Sequence, residues 1–121
     1  MKQSQDERIA TMTFASVYPL YVTKVERKGR SKAELNQVIE WLTGFDEKKI
    51  DELVLSKVNF EGFFAQARLN EDTKFITGLI CGYRVEEIEN PLTQKVRYLD
   101  KIVDELAKGK AVEKITNRKK N

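Results

Sequence analysis

The sequence predicts an all-α fold, a compact single-domain bundle of about six helices. Apolar residues recur at three- and four-residue spacings along most of the chain, the mark of helices that bury one face. Capping residues precede several of these stretches and glycines follow them, so starts and stops are also marked. With 121 residues, 40% hydrophobic and 34% charged, the chain can build one core and is too short for two.

Residues 1–11 are polar and lack an apolar face, so a flexible arm is expected ahead of a helical core at 12–109 and a basic turn and tail at 110–121. A first helix is expected from about Ser16, because Pro19 fits a helix only in its first turn. Val17, Tyr18, Tyr21 and Val25 line one side, Gly29 ends it, and Phe14 closes its start from outside. Ser31 and Glu34 read as a capping box, each side chain meeting an amide of the other's turn. Leu35, Val38, Ile39 and Leu42 then supply the apolar face of a second helix, ended by Gly44. Asp46 caps a third helix carrying Ile50, Leu53 and Val54. Asn59 caps a short fourth with Phe60, Phe63, Phe64 and Ala67, before a turn at Asn70, Glu71 and Asp72.

Phe75–Val85 admits two readings. Phe75, Ile76, Leu79, Ile80 and Tyr83 fit a helix, in which Gly78 and Gly82 would each cost about 1 kcal/mol relative to Ala. A strand would need a partner, and no other segment offers one. The expectation is a buried helix whose two glycines admit a close neighbour. Asn90 followed by Pro91 starts the longest helix. Its stripe of Leu92, Val96, Leu99, Val103 and Leu106 covers too few heptads for a coiled coil, so packing within the domain is preferred to a dimer seam. Gly109 ends it, and a last basic turn or helix runs from Ala111 to about Arg118.

Much chemistry is removed by composition. The chain has no histidine, which excludes His-ligated metals, Ser-His-Asp triads and Cys-His dyads, and its one cysteine, Cys81, excludes an internal disulfide. There is no GxxxxGK[ST], GxGxxG, CxxC or EF-hand loop, so no cofactor or metal is expected. Asp6, Glu7 and Arg8 stand where a signal peptide would carry its apolar core. Val17–Val22, six residues with a proline, falls far short of a membrane span. A lone thiol fits a reducing compartment, and a cytoplasmic location is expected.

The candidate sites are few. Lys24, Arg27, Lys28, Arg30 and Lys32 oppose only Glu26, a local charge of +4. Lys108, Lys110, Lys114, Arg118, Lys119 and Lys120 oppose only Glu113, a local +5 that leaves residues 1–107 at −2. Such clusters could contact phosphates; the plainer reading is that cations complement helix C-termini and solubilise a chain end. Cys81 with Tyr83 and Arg84 is a weak pocket candidate in which Arg84 would favour thiolate, against the plainer reading of a small buried cysteine between two glycines. Glu86 and Glu89 are too few oxygens for a hard cation and read as solvated charge, as do Asp100, Asp104 and Glu105 among their lysines. Trp41 lies beside the stripe of its helix and, with Phe45, could anchor a partner. Two functions follow as expectations. The preferred one is a protein-interaction or structural module, possibly a homodimer; the alternative is a nucleic-acid accessory protein without sequence-specific readout.

Several blocks also carry a family resemblance: Met12–Val22 (MTFASVYPLYV), Trp41–Gly44 (WLTG), Ile76–Gly78 (ITG), Cys81–Ile88 (CGYRVEEI) and Arg97–Lys110 (RYLDKIVDELAKGK). Together they resemble a bacterial family known as a domain of unknown function, the 2200 family, over roughly Glu7 to Ile115. The resemblance implies a single-domain, helical, cytoplasmic bacterial protein and brings no catalytic residue or cofactor with it. Members often read His-Arg-Ile-Tyr where this chain has Glu7-Arg8-Ile9-Ala10. That departure counts against a catalytic role here.

Overall fold

The computed structural model describes residues 4–118. They form seven α-helices, α1 (Gln5–Thr11), α2 (Phe14–Arg27), α3 (Lys32–Thr43), α4 (Glu47–Leu55), α5 (Phe60–Gln66), α6 (Pro91–Ala107) and α7 (Val112–Thr116), plus one small hairpin of β1 (Leu79–Ile80) and β2 (Tyr83–Arg84). The fold is the expected helical bundle. Its axis is α6, which packs against α1, α2, α3, α5, α7 and β1. The stripe of Val96, Leu99, Val103 and Leu106 is buried in this packing, so it serves the core and leaves no seam for a partner.

Local chemistry sets most boundaries. Ser4, Thr13, Ser31, Asp46, Asn59 and Asn90 each accept a hydrogen bond from the backbone N–H three residues on, satisfying an amide that the first helical turn leaves open. At α3 the box closes in both directions, the Glu34 carboxylate accepting from the Ser31 N–H at 3.0 Å. Arg30 adds to it: its Nη2 donates to Glu34 at 2.7 Å, while Nη1 reaches the carbonyls of Leu106 and Lys110 at 3.1 and 2.9 Å. One guanidinium thus ties the start of α3 to the open C-terminal end of α6.

These contacts have a pH consequence. The hydrogen bond from Arg30, then those from Ser31, hold the Glu34 carboxyl down from its usual 4.5 to about 2. A group depressed on folding stabilises the native state above its unfolded pKa and loses that contribution as protons bind through the folded value. Stability measured by urea unfolding is therefore expected to fall between about pH 4.5 and pH 2, and Glu34→Gln should flatten that decline. An unchanged profile in the variant would contradict the assignment.

Three local expectations need correction. Residues 5–11 are not a loose arm: they form α1, which packs on α5 and α6 and buries Ile9. Helix α2 starts at Phe14, not Ser16, with Thr13 as its cap and Phe14 inside the helix and fully buried. Pro19 lies one turn in, at the solvent-facing side, where its missing N–H costs only the bond to the Ala15 carbonyl.

The third correction concerns Phe75–Val85, which is not a buried helix. After a 3-10 turn at Glu71–Phe75 the chain folds back on itself, pairing Ile80 with Tyr83 and Leu79 with Arg84. The missing partner strand was the segment's own second half. Cys81 and Gly82 both take positive φ, 51° and 84°, as the two-residue turn that matches strand twist demands. Gly78, at φ 107°, opens the hairpin where an L side chain would be strained. Lys101 clamps the strand to α6 by donating to the Leu79 carbonyl at 3.1 Å.

The core is strongly aromatic. Phe14 and Phe63 stack at 4.5 Å between ring centres, and Phe60 and Phe45 meet Phe63 edge-on at 5.8 and 5.1 Å. The buried Tyr18 hydroxyl donates to Asn36 Oδ1 at 2.5 Å. Burial first, then the Asp51 charge, pushes that phenol up to about 12 despite the hydrogen bond to Asn36, so it remains a donor at neutral pH.

Candidate functional site

The expected Trp41–Phe45 surface does not form. Phe45 is only 6% exposed and belongs to the aromatic core. Trp41 is half-buried, packs against the core and lines an open cavity with Arg68, Leu69 and Asn70. Gly44 in its left-handed conformation turns the chain between them, which sends the two rings to different environments.

The basic segments do converge, and of their described cations Lys24, Arg30, Lys108, Lys110 and Arg118 pair with carboxylates, while Arg27, Lys28, Lys32 and Lys114 are exposed. Asp104 receives both Lys24, at 3.1 Å, and Lys108, at 3.0 Å. Although partial burial opposes it, these two hydrogen bonds hold the Asp104 carboxyl below its usual range. Glu105 pairs with Arg118 at 2.5 Å and with Lys110 at 3.7 Å. The acidic face of α6, expected to be merely solvated, is thus the glue between the C-terminal ends of α2, α6 and α7. Arg27 and Lys28 are exposed at the end of α2, and Lys119 and Lys120 lie outside the described residues.

Of the weak pocket candidates, the structure brings two into one cavity. Tyr83 and Arg84 line a cavity of about 280 Å³ together with Gln5, Asp6, Glu87, Ile88, Thr93 and Arg97. Cys81 is exposed at the hairpin turn, contrary to the buried site expected. Its charged neighbour is Arg97 of α6, whose Nη1 donates to Sγ at 3.3 Å; Arg84, expected one helical turn away, instead points its guanidinium toward Glu86 at 3.7 Å. Glu86 braces the hairpin by accepting from the Gly78 N–H at 2.9 Å, the first cause of its lowered pKa. Among the described residues no group of three or more His, Cys, Asp or Glu side chains is placed to hold a metal ion.

Sequence reasoning missed the polar network behind this cavity. Asp100 accepts from the Tyr21 hydroxyl at 2.5 Å and from Arg97 at 2.9 Å, and Asp6 accepts from the Thr93 hydroxyl at 2.6 Å. Burial, then the Asp100 charge, drives the Tyr21 phenol well above its ordinary pKa, so it stays protonated and donates. Tyr21 and Asp100 are 79 residues apart and Asp6 and Thr93 are 87 apart, so no spacing rule joins either pair.

The exposed large apolar residues are Leu79 and Tyr83 on the hairpin and, away from it, Met12, Leu20 and Leu55. Leu20, 66% exposed, lines one of two open cavities that flank α2. One, about 380 Å³, is walled by Ile9, Met12, Val17, Leu20, Phe60 and Val96, with Gln5, Arg8, Arg97 and Asp100 also lining it. The other, about 630 Å³, is walled by Tyr18, Pro19, Val22, Val54 and the 82% exposed Leu55, with Thr23, Lys32 and Asp51 also lining it. Val17 and Leu20 line the first and Pro19 and Val22 the second, so α2 presents apolar residues to both hollows.

The molecule is therefore a single-domain helical bundle, ordered about one long helix, with an apolar surface on α2 and a charged cavity beside its hairpin. Among the described residues no helix is long and apolar enough to cross a membrane. A family model described as "Uncharacterized protein conserved in bacteria (DUF2200)" matches residues 8–117, and the chain belongs to this family. It is also similar to a crystal structure described as "uncharacterized protein SP1917", with 39% identity, a TM-score of 0.88 and coverage of 98% of this chain and 99% of that one. No curated protein matches it.

Proposed function

We propose that this protein is an interaction module that pairs with a second copy of itself through the outer face of α2. One observation carries the reading: on a chain that is 34% charged, Met12, Leu20 and Leu55 are exposed at two hollows that lie on either side of α2 and are also lined by Val17, Pro19 and Val22. Water-facing apolar patches of this kind mark contact sites. A two-fold pair needs only one such patch, because each copy presents the same surface to the other. Pairing would cover Leu20 and Leu55 and fill the hollows on either side of α2 with the partner's side chains.

Sedimentation equilibrium at micromolar concentration is expected to give a dimer, and Leu20→Glu a monomer with an unchanged circular-dichroism spectrum. Because Leu20 is already exposed, the substitution should leave folding intact. A wild-type chain that stays monomeric at every concentration would contradict the proposal.

The nucleic-acid reading has less support. It draws on the meeting of two basic segments at the C-terminal end of α6, yet Lys24, Arg30, Lys108, Lys110 and Arg118 are all engaged by Asp104, Glu34 or Glu105. Contacting phosphates with Arg30 or Arg118, whose side chains are only 15% and 10% exposed, would mean breaking mostly buried ion pairs.

A further inference from the structure

We propose that the cavity between α1 and the hairpin binds a free α-amino acid with an apolar or aromatic side chain. α1 and the hairpin both pack on α6, and the cavity opens between them with Thr93 and Arg97 contributed by α6. At about 280 Å³ it suits a small ligand.

Its charges come in both signs and from separate elements. Asp6 uses one carboxylate oxygen on Thr93 and has its second oxygen for a ligand. Arg97 spends Nη1 on Asp100 and Cys81, with Nε and Nη2 uncommitted among the described residues. Arg84 is held only by the 3.7 Å approach to Glu86. A purely anionic ligand would meet Asp6 and Glu87, and a purely cationic one would meet Arg84 and Arg97. A zwitterion satisfies both sets, its ammonium toward Asp6 and its carboxylate toward the guanidiniums. The exposed Tyr83 ring and Ile88 give its side chain an apolar wall. The site shares Gln5 and Arg97 with the cavity beside Val17 and Leu20, but Asp6, Tyr83, Arg84 and Thr93 line this one alone of the two.

The test is an NMR titration of the full chain with L-phenylalanine and L-leucine, beside N-acetyl-L-phenylalanine, which lacks the ammonium, and phenethylamine, which lacks the carboxylate. The amino acids should give saturable shifts at Tyr83, Arg84, Thr93 and Arg97. Each single-charge analogue should bind at least about tenfold more weakly, the loss of one charge-assisted hydrogen bond. Arg84→Ala, at an exposed position, should weaken L-phenylalanine by a similar factor and leave distant amides unshifted. No saturable shift with either amino acid up to about 20 mM, far above a millimolar affinity, would overturn the proposal. Equal binding of the N-acetyl compound would also overturn it and make this an anion site.

Discussion

Replacing Phe14 by alanine is expected to be the most damaging single truncation, lowering stability by about 3–5 kcal/mol. Phe14 is fully buried, and its ring meets Tyr18, Phe60 and Phe63 at 5.3, 6.4 and 4.5 Å. Its backbone is fixed too: the Phe14 N–H donates to Val58 and the Phe60 N–H to Met12, both at 2.9 Å. These two bonds lock the α1–α2 joint to the α4–α5 joint, so the cavity left by truncation cannot close by a simple backbone shift. Since domains of this size are typically stable by roughly 5–15 kcal/mol, much of the margin would go. Urea unfolding checks this through the midpoint at constant slope; a loss under about 1 kcal/mol would mean that the aromatic cluster repacks freely.

Asp100→Ala should cost about 2–3 kcal/mol, through a different mechanism. The carboxylate is the acceptor shared by the Tyr21 hydroxyl and Arg97. Without it a buried phenol loses its partner and a mostly buried guanidinium loses its counter-charge, and both penalties exceed the value of the bonds themselves. Asp100→Asn keeps one acceptor and should cost less. Combining Asp100→Ala with Tyr21→Phe should recover part of the loss, because no orphaned hydroxyl remains. A double variant whose losses simply add would show that the pair is not coupled.

These two positions also mark what the sequence could and could not reveal. Capping is local chemistry: Ser31 with Glu34, Asp46 before its helix, and Asn90 before Pro91 act within one turn, so their meaning is legible from spacing. The stripe of α6 is legible for the same reason. Helix α1 was not, because one buried residue, Ile9, leaves no periodic face and its stability comes from α5 and α6. The hairpin was hidden by glycines that fit either reading, and by a partner strand two residues away. Phe45 looked like a surface anchor because its position past Gly44 gives no hint that Phe63 would cover it. Asp100 looked solvated because Tyr21 approaches from another helix. Local codes were readable; long-range juxtaposition was not. The α2 surface belongs to the second kind, since Leu20 is conspicuous only once α1 and α4 leave it uncovered.

The most direct test of pairing through α2 is isotope-filtered NMR on a one-to-one mixture of labelled and unlabelled chain. At about 1 mM chain even a dimer of ~100 μM affinity is well populated. If α2 is the seam, cross-chain contacts should appear at the methyls of Val17, Leu20, Val22 and Leu55. Cross-chain contacts confined to Trp41, the hairpin or the basic end, or none at all, would contradict it.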